Sequence, residues 1–456
     1  MSPLLVLAVG MAVVVGLILV LRVNAFLSLI TAALLVSLLS SGPLPERVAR
    51  VAEAFGRTAG SIGIVIALAA VIGRCMMESG AADRIVRSLQ SAFGAERTPV
   101  ALAASGYVLS VPVFFDTVFY LLIPLARSLY RRTGGHYLLS VLAIAIGALA
   151  THTLVPPTPG PLIVAEQLGV DLGVMIPVGL VVAITAGAAG LLFARALDRR
   201  MPVEMRPLGT GHEPEPLPDD RLPGLVWSAL PIVLPVVLIS SDTAARALAR
   251  GEASPGLWTG IAEVTGLVGN ANVALLLSAV AALLVLWRQR RPGRDGLARS
   301  MEEALMSGGI IILITAAGGA FGAMLQTAGV GEALQGMFEA AEVSGLLFLP
   351  VGFALASLLK VAQGSTTVAM IAASSMLGAM ELSPQLLGFH PVYLAAAVGC
   401  GGMAGAWMND SGFWVYARMG GLTEAEALKS WTPAGVVMGL SGLLATLLLA
   451  ALLPLR

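Results

Sequence analysis

Long apolar runs alternate with short polar segments along almost the whole chain. A helix of about 20 apolar residues crosses roughly 30 Å of hydrocarbon, so each long run is a candidate membrane span. In the first half the predicted spans are 3–21, 24–40, 60–77, 99–126, 137–155 continued by 162–168, and 172–197. In the second half they are 225–239, 264–287, 308–325, 346–380, 392–408 continued by 413–419, and 433–453. The pattern predicts an all-α polytopic membrane protein.

Four of these runs are interrupted at membrane depth. The interruption at 151–161 contains four prolines and one glycine. Proline removes a backbone donor and clashes with the preceding turn, so a helix must break there. Hydrocarbon cannot hydrate the freed backbone groups, which are tolerated only where protein buries them or a wet cavity receives them. The other interruptions are 111–117, 360–367 and 409–412. They mark a candidate binding site.

The two halves match at a nearly constant offset. Gly73 and Gly322 lie 249 positions apart, Thr117 and Thr367 lie 250 apart, and Gly160 and Gly412 lie 252 apart. A constant offset is the signature of an internal repeat. We therefore predict a first repeat over 1–197, a cytoplasmic linker over the proline-rich and charged segment 198–223, and a second repeat over 224–456.

The distribution of arginine predicts that the second repeat is inverted. Arg84, Arg87 and Arg97 follow the third span, whereas the matching segment 332–342 has three glutamates and no basic residue. Cytoplasmic loops are enriched in Lys and Arg, so matching loops are expected on opposite sides of the membrane. The same bias places both termini outside the cytoplasm, which in a bacterium is the periplasm.

The segment 99–126 predicts a re-entrant helical hairpin. Both of its flanks are basic, so both are expected on the cytoplasmic side. Its 28 residues are too few to cross about 30 Å twice at 1.5 Å per residue. Its partner in the second repeat is the hairpin 346–380. Each repeat then has five transmembrane helices and one hairpin, with broken helices over 137–168 and 392–419.

Composition adds little beyond the membrane assignment. The chain is 57% hydrophobic and 12% charged, whereas soluble domains carry about 25% charged residues. Its 27 basic and 27 acidic residues balance, which gives no indication of a nucleic-acid partner. Cys75 and Cys400 lie in apolar runs without a metal-binding spacing, so we predict neither a metal site nor a cofactor.

Hairpin tips and broken helices that meet at the midplane are typical of secondary transporters, where half-helix N-termini receive an anionic substrate. An intramembrane carboxylate is costly and is a functional candidate by default, and histidine titrates near neutral pH. The candidate proton-coupling residues are Asp116, His152 and Asp410. The candidate substrate-binding residues are Asp116, Thr117, His152, Thr153, Thr158, Gly160, Gln363, Gly364, Ser365, Thr366, Asn409, Asp410 and Ser411.

A structural explanation remains open for several of these residues. Asp116 could serve as a helix cap, and Ser and Thr hydroxyls often bond to carbonyls of their own helix. Lys360, one turn before the second hairpin tip, could attract an anion or pair with a nearby carboxylate.

Four ordered motifs resemble the gluconate permease (GntP) family. They are Phe-Phe-Asp-Thr-Val-Phe-Tyr-Leu-Leu-Ile-Pro-Leu (114–125), Thr-His-Thr-Leu-Val-Pro-Pro-Thr-Pro-Gly-Pro (151–161), Gln-Gly-Ser-Thr-Thr-Val-Ala (363–369) and Asn-Asp-Ser-Gly-Phe-Trp (409–414). The resemblance implies a bacterial inner-membrane proton symporter for gluconate and related sugar acids, glycerate or D-serine. It also implies a homodimer working by an elevator motion, within the wider ion transporter superfamily. By position it supports His152, Pro156, Pro157, Gly160, Gln363, Gly364, Ser365, Asn409 and Asp410.

One position departs from the family pattern. Thr158 stands where many gluconate carriers have histidine, which puts gluconate itself in question and leaves a small carboxylate as the expected substrate. The coupling ion is expected to be H⁺, and a sodium-coupled carboxylate transporter is the alternative. A membrane-embedded enzyme and a channel are more remote alternatives, because a duplicated midplane site suits neither.

Overall fold

The computed structural model describes residues 2–19, 21, 23–94, 98–133, 135–206, 222–249, 255–291, 293–330, 333, 345–380, 382–408 and 410–455. Over these residues every regular element is a helix. Six of the helices are long and apolar enough to span a membrane, or seven if one bent helix is included. The prediction of an all-α polytopic membrane protein is confirmed.

The described residues of the first half form nine helices. They are α1 Pro3–Leu19, α2 Ala25–Leu39, α3 Leu44–Glu78, α4 Ala81–Phe93, α5 Thr98–Leu109, α6 Phe115–Thr133, α7 Tyr137–Leu154, α8 Pro159–Gln167 and α9 Leu172–Arg200.

The described helices of the second half are α10 Leu225–Ala249, α11 Pro255–Val268, α12 Ala271–Arg290, α13 Arg294–Thr327, α14 Phe348–Gln363, α15 Thr366–Gly378, α16 Pro384–Leu387, α17 Val392–Met403, α18 Ser411–Met419 and α19 Glu424–Leu452. Three pairs of helices at matching positions in the two halves have similar lengths, although the repeat itself stays a prediction. Helices α3 and α13 have 35 and 34 residues, α8 and α18 have 9 each, and α9 and α19 have 29 each. The inversion of the repeat stays a prediction.

The third span is longer than predicted. The apolar run begins at 60, but α3 begins at Leu44 and bends by 42° near residue 62. The part of α3 before residue 60 is polar, and its arginines bind the end of α2. Arg47 donates to the carbonyls of Leu38 and Gly42, and Arg50 donates to the carbonyl of Ser37. Cations at a helix C-terminus satisfy its free carbonyls and its negative dipole end.

Two predicted boundaries are wrong. The run 264–287 is divided between α11 and α12 at Gly269 and Asn270. The Asn270 side chain accepts a hydrogen bond from the Asn272 amide at 3.0 Å and caps α12. The run 392–408 also ends early, because α17 stops at Met403 and Gly405 takes a positive φ of 89°.

Each predicted hairpin contains two helices in contact with each other, α5 with α6 and α14 with α15. Helix α6 has 19 residues and continues to Thr133, beyond the predicted end of the first hairpin at 126. The re-entrant course of both hairpins stays a prediction. Helix α5 has 12 residues, about 18 Å at 1.5 Å per residue, which is too short to cross the hydrocarbon. It is separated from α6 by 110–114, and α14 is separated from α15 by Gly364 and Ser365. The predicted broken helices are likewise interrupted, at 155–158 between α7 and α8 and at 404–410 between α17 and α18.

Helix α7 lies at the centre of the protein. In the most apolar part of Tyr137–Gln167, 94% of the residues are buried, compared with 33% in the corresponding parts of α9 and α19. Glycines allow α5 to cross it closely: an added Cβ at Gly106 would lie 2.7 Å from the Ile144 carbonyl oxygen, and one at Gly147 would lie 1.9 Å from that of Ala103. Close helix contacts through small residues are typical of membrane proteins. They hold the first hairpin against the broken helix.

Candidate functional site

A cavity of about 380 Å³ lies where the four chain interruptions meet. Residues from all four interruptions line it. Of the residues predicted for the site, seven are in its wall: Asp116, Thr117, His152, Ser365, Thr366, Asp410 and Ser411. Sequence positions separated by almost 300 residues are therefore brought to one place.

Four helices begin at this cavity. Lining residues lie within the first turn of each helix or directly before it: Asp116 in α6, Pro159 in α8, Thr366 in α15 and Ser411 in α18. First-turn N–H groups have no acceptor within their own helix, and the helix dipole places partial positive charge at the same end. Four converging N-termini make the cavity suited to an anion.

Asp410 forms a buried ion pair. Its Oδ2 lies 2.8 Å from Lys360 Nζ, and the Lys360 side chain is 1% exposed. Asp410 Oδ1 also accepts a hydrogen bond from the Gly412 amide at 3.0 Å, which caps α18. Lys360 Nζ donates a second hydrogen bond to the Gly364 carbonyl at 2.5 Å. Of the two roles left open for Lys360, pairing with a carboxylate is the one observed.

Asp116 has no such partner. It lies within electrostatic range of Asp410 and Lys360, but over the described part of the chain its carboxylate has no hydrogen bond and no ion pair. The alternative that it caps a helix is therefore not supported. Asp116 is the carboxylate in the cavity wall whose charge is not directly compensated.

His152 occupies the last turn of α7 and lines the cavity. Its Nδ1 is buried and has no hydrogen-bond partner among the residues that the structure describes. A buried polar atom without a partner is uncommon in proteins and often marks a functional position.

Four predicted residues do not line the cavity. Thr153 Oγ1 donates to the Leu149 carbonyl at 3.0 Å, and Thr158 Oγ1 donates to the Val155 carbonyl at 2.6 Å. Their hydroxyls are used by their own backbone, which is the structural alternative stated above for Ser and Thr. Gly160 packs against Met370, and Gly364 takes a positive φ of 85° and accepts the Lys360 hydrogen bond. These residues shape the interruptions.

Two predicted residues lie outside the described part of the site. The side chain of Gln363 and the whole of Asn409 are not among the described residues. Their predicted contact with a substrate stays a prediction.

The sequence analysis missed the apolar part of the wall. Trp431 of α19 lies between the rings of Phe115 and Tyr416, with centroid distances of 5.4 and 5.3 Å. Ile310 and Ile311 of α13 also line the cavity. Trp431, Ile310 and Ile311 belong to long helices without a local break, so no sequence signal distinguishes them from ordinary packing residues.

A second cavity of about 370 Å³ adjoins the first and shares Phe114 and Thr117 with it. It is lined on its far side by Arg74, which pairs with Glu78 at 2.5 Å and with Glu303 at 2.6 Å. Glu78 also binds Arg290 through its carbonyl.

Comparison with known sequences agrees with this architecture. A profile of the GntP family permeases matches residues 2–453. The chain is 33% identical to an uncharacterized permease of Haemophilus influenzae, over 97% of this chain and 91% of the relative. It is 31% identical to a gluconate permease of Pseudomonas aeruginosa over 97% of each chain, and 31% identical to a low-affinity gluconate transporter of Escherichia coli over 92% of each.

Solved structures share the fold at low sequence identity. The Neisseria gonorrhoeae protein MtrF, described as one of a class of antimetabolite efflux pumps, superposes with a TM-score of 0.68 at 16% identity, covering 94% of this chain and 95% of that one. The Alcanivorax borkumensis YdaH transporter superposes with a TM-score of 0.61 at 15% identity, covering 94% and 98%. Identity this low shows the fold and nothing about substrate.

The family profile extends over nearly the whole chain. Several relatives above 30% identity match over more than nine tenths of their own length. The names of the family and of these relatives describe permeases and transporters, and none describes an enzyme. This chain is therefore a member of the GntP permease family, a multi-pass membrane transporter rather than an enzyme.

Proposed function

We propose that the protein is a proton-coupled symporter of a small hydroxycarboxylate in the bacterial inner membrane. Gluconate or a related sugar acid, glycerate, or the amino acid D-serine is the expected substrate. The observation that carries the proposal is the cavity in which four helix N-termini meet Asp116, a carboxylate that has no direct partner among the described residues.

The cavity suits this substrate class in charge and in size. A carboxylate that enters the membrane loses its water and must find replacement hydrogen bonds, which free N–H groups at helix N-termini can donate. The hydroxyls of Ser365, Thr366 and Ser411 in the wall can bind the hydroxyls of a sugar acid. A volume of about 380 Å³ lies within the range of roughly 300–1,000 Å³ typical of small-molecule sites. The names of several relatives refer to gluconate, and one relative at 28% identity is an L-idonate transporter.

Coupling requires that proton and substrate favour the same state of the carrier. A ligand shifts a conformational equilibrium only by its difference in affinity for the two states, and the effect of one ligand on another is reciprocal. Asp116, His152 and Asp410 are close enough to a bound anion, all three lining the same cavity, for their protonation to change its affinity.

The hairpins and broken helices are proposed to move together as a transport unit in an elevator mechanism. The burial of every residue of α7 except His152 supports a rigid unit. We also propose a homodimer, an inverted repeat and periplasmic termini.

Uptake into proteoliposomes tests the proposal. We expect saturable accumulation of gluconate, L-idonate, glycerate or D-serine that requires an inwardly directed proton gradient and is unaffected by sodium. Accumulation that survives a proton ionophore and requires sodium would instead establish sodium coupling. A product that differs chemically from the added substrate would indicate an enzyme, and flux without saturable counterflow would indicate a channel.

A pair of isosteric substitutions separates the cavity wall from the helix interior. Thr366→Val removes the hydroxyl of a residue in the cavity wall and is expected to raise the KM for the best substrate about 5- to 30-fold, the effect of losing one hydrogen bond worth roughly 1–2 kcal/mol. Thr153→Val removes a hydroxyl that bonds its own helix and is expected to leave the KM within about twofold of wild type. Equal KM values in the two variants would contradict this assignment of the wall. The measurement is initial uptake rate against substrate concentration.

A further inference from the structure

Three formally charged side chains belong to the cavity and its border. Asp116 and Asp410 line the wall, and Lys360 is buried beside them with its ammonium 2.8 Å from Asp410. Lys360 has two acceptors, the Asp410 carboxylate and the Gly364 carbonyl. A buried ion pair with satisfied hydrogen bonds keeps both members charged, since removing either charge leaves the other unpaired in a medium of low dielectric.

We propose that Lys360 is the built-in countercharge of the cavity and that Asp116 is the carboxylate that carries the coupling proton. This inference rests on the proposed function, because it names the proton site of the same cavity. The Lys360–Asp410 pair contributes no net charge. An ionised Asp116 then repels an entering carboxylate, and a protonated Asp116 does not.

The surroundings of Asp116 support this assignment. The groups that face it are Lys360 of α14, Asp410 at the start of α18 and His152 of α7, together with uncharged residues of α13 and α19. Lys360 is already engaged by Asp410. A proton on Asp410 would break the ion pair through Oδ2 and leave the Lys360 ammonium buried without a counterion. A proton on Asp116 disrupts no observed hydrogen bond.

The formal charges of the cavity predict how uptake depends on the membrane potential. With Asp116 ionised, the empty cavity has a formal charge of −1, because the Lys360–Asp410 pair sums to zero. With Asp116 protonated and a monoanion bound, the charge is again −1. The loaded and empty carriers therefore move the same charge, and one proton accompanies one anion without net charge transfer. Uptake of gluconate should respond to a pH gradient and not to membrane potential.

Asp116→Asn tests the assignment in the full-length protein in proteoliposomes with gluconate. Asparagine resembles the protonated carboxyl in shape and charge. We expect exchange of internal for external gluconate to persist, whereas pH-driven accumulation falls to the level seen without a gradient. Gluconate binding to wild type should weaken by about tenfold per pH unit above the ionisation of Asp116, and binding to Asp116→Asn should not depend on pH over that range.

His152→Gln is the comparison variant, because it removes the other titratable side chain of the wall that forms no ion pair among the described residues. Its binding should keep the wild-type pH dependence. The inference is overturned if Asp116→Asn still accumulates gluconate in response to pH, if His152→Gln is the variant that loses pH dependence, or if a potential imposed with potassium and valinomycin drives wild-type uptake. Should Asp116→Asn not fold, Asp116→Glu is expected to shift the pH profile of binding, and an unshifted profile counts against the inference. Wild-type uptake that ignores the pH gradient would instead overturn the proposed function itself.

Discussion

Replacement of Asp410 by Asn is expected to reduce the initial uptake rate by about 100-fold or more. Asparagine keeps the helix cap, since it is as good an N-cap residue as aspartate, but it leaves the Lys360 ammonium without its counterion at 1% exposure. Breaking a buried ion pair by removing one partner costs about 3–5 kcal/mol, and each 1.4 kcal/mol is a factor of about ten. The rate is measured per molecule of protein in the membrane, together with the thermal stability of the purified protein.

The double variant Lys360→Met/Asp410→Asn is the control. Methionine fills the space of the lysine stem without a charge, and an uncharged pair of similar volume is often as stable as a buried ion pair. We expect Lys360→Met alone to be strongly impaired and the double variant to recover most of the thermal stability and uptake to within about tenfold of wild type. Effects that simply add in the double variant would show that the two residues act independently.

The positions of the interruptions could be predicted because their causes are local. Pro156 and Pro157 cannot continue α7, which accordingly ends at Leu154. Pro159 and Pro161 lie in the first turn of α8, where a missing N–H costs no helical hydrogen bond. Gly364 followed by Ser365 likewise supplies a positive φ and an N-cap at the tip of the second hairpin. A helix break is therefore determined by the few residues that form it.

Boundaries set by packing could not be predicted in this way. The apolar run 392–408 gives no sign that α17 ends at Met403. An added Cβ at Gly401 would lie 2.3 Å from the Phe353 carbonyl oxygen, so α17 is held tightly against α14 just before it ends. The same limit applies to the segment 41–57, where helix formation depends on contacts with the end of α2.

The sequence predicts which interruptions form the site, but not which of their side chains face the cavity. Thr153 and Thr366 are the same residue type, and both lie within two residues of a helix end. Only the rotation of each helix decides that Thr366 reaches the cavity and that Thr153 bonds its own backbone. The pairing of Lys360 with Asp410, fifty positions apart, also depends on how the second hairpin docks on the second broken helix.

The four interruptions form one cavity because the hairpins are held closely against the broken helices. Gly160 of the first broken helix packs on Met370 of the second hairpin, and Gly147 packs on the backbone of the first. The two contacts differ in what an added methyl group would meet: at Gly160 the nearest atom is the sulfur of a flexible side chain at 3.0 Å, and at Gly147 it is a backbone oxygen. Flexible side chains can move aside, whereas helix backbones must separate.

Replacement of Gly147 by Ala is therefore expected to abolish transport and to leave little folded protein. The new Cβ would lie 1.9 Å from the Ala103 carbonyl oxygen, so α5 and α7 must separate by at least about 1 Å to reach a normal contact distance. Overpacking a well-packed interior costs about 1–3 kcal/mol, and more where backbone must shift. The separation also displaces the first hairpin, which places Asp116 and Thr117 in the cavity.

Gly187→Ala in α9 is the matched control for this prediction. The nearest atom to its added Cβ is 4.0 Å away, an ordinary contact, and alanine favours a helix over glycine by about 1 kcal/mol. We expect this variant to keep wild-type uptake and to unfold at the same or a slightly higher temperature. Folded protein is measured by monodispersity and by the midpoint of thermal unfolding in detergent. A Gly147→Ala variant that matches Gly187→Ala in both measurements would mean that the first hairpin does not rest on α7 through this contact.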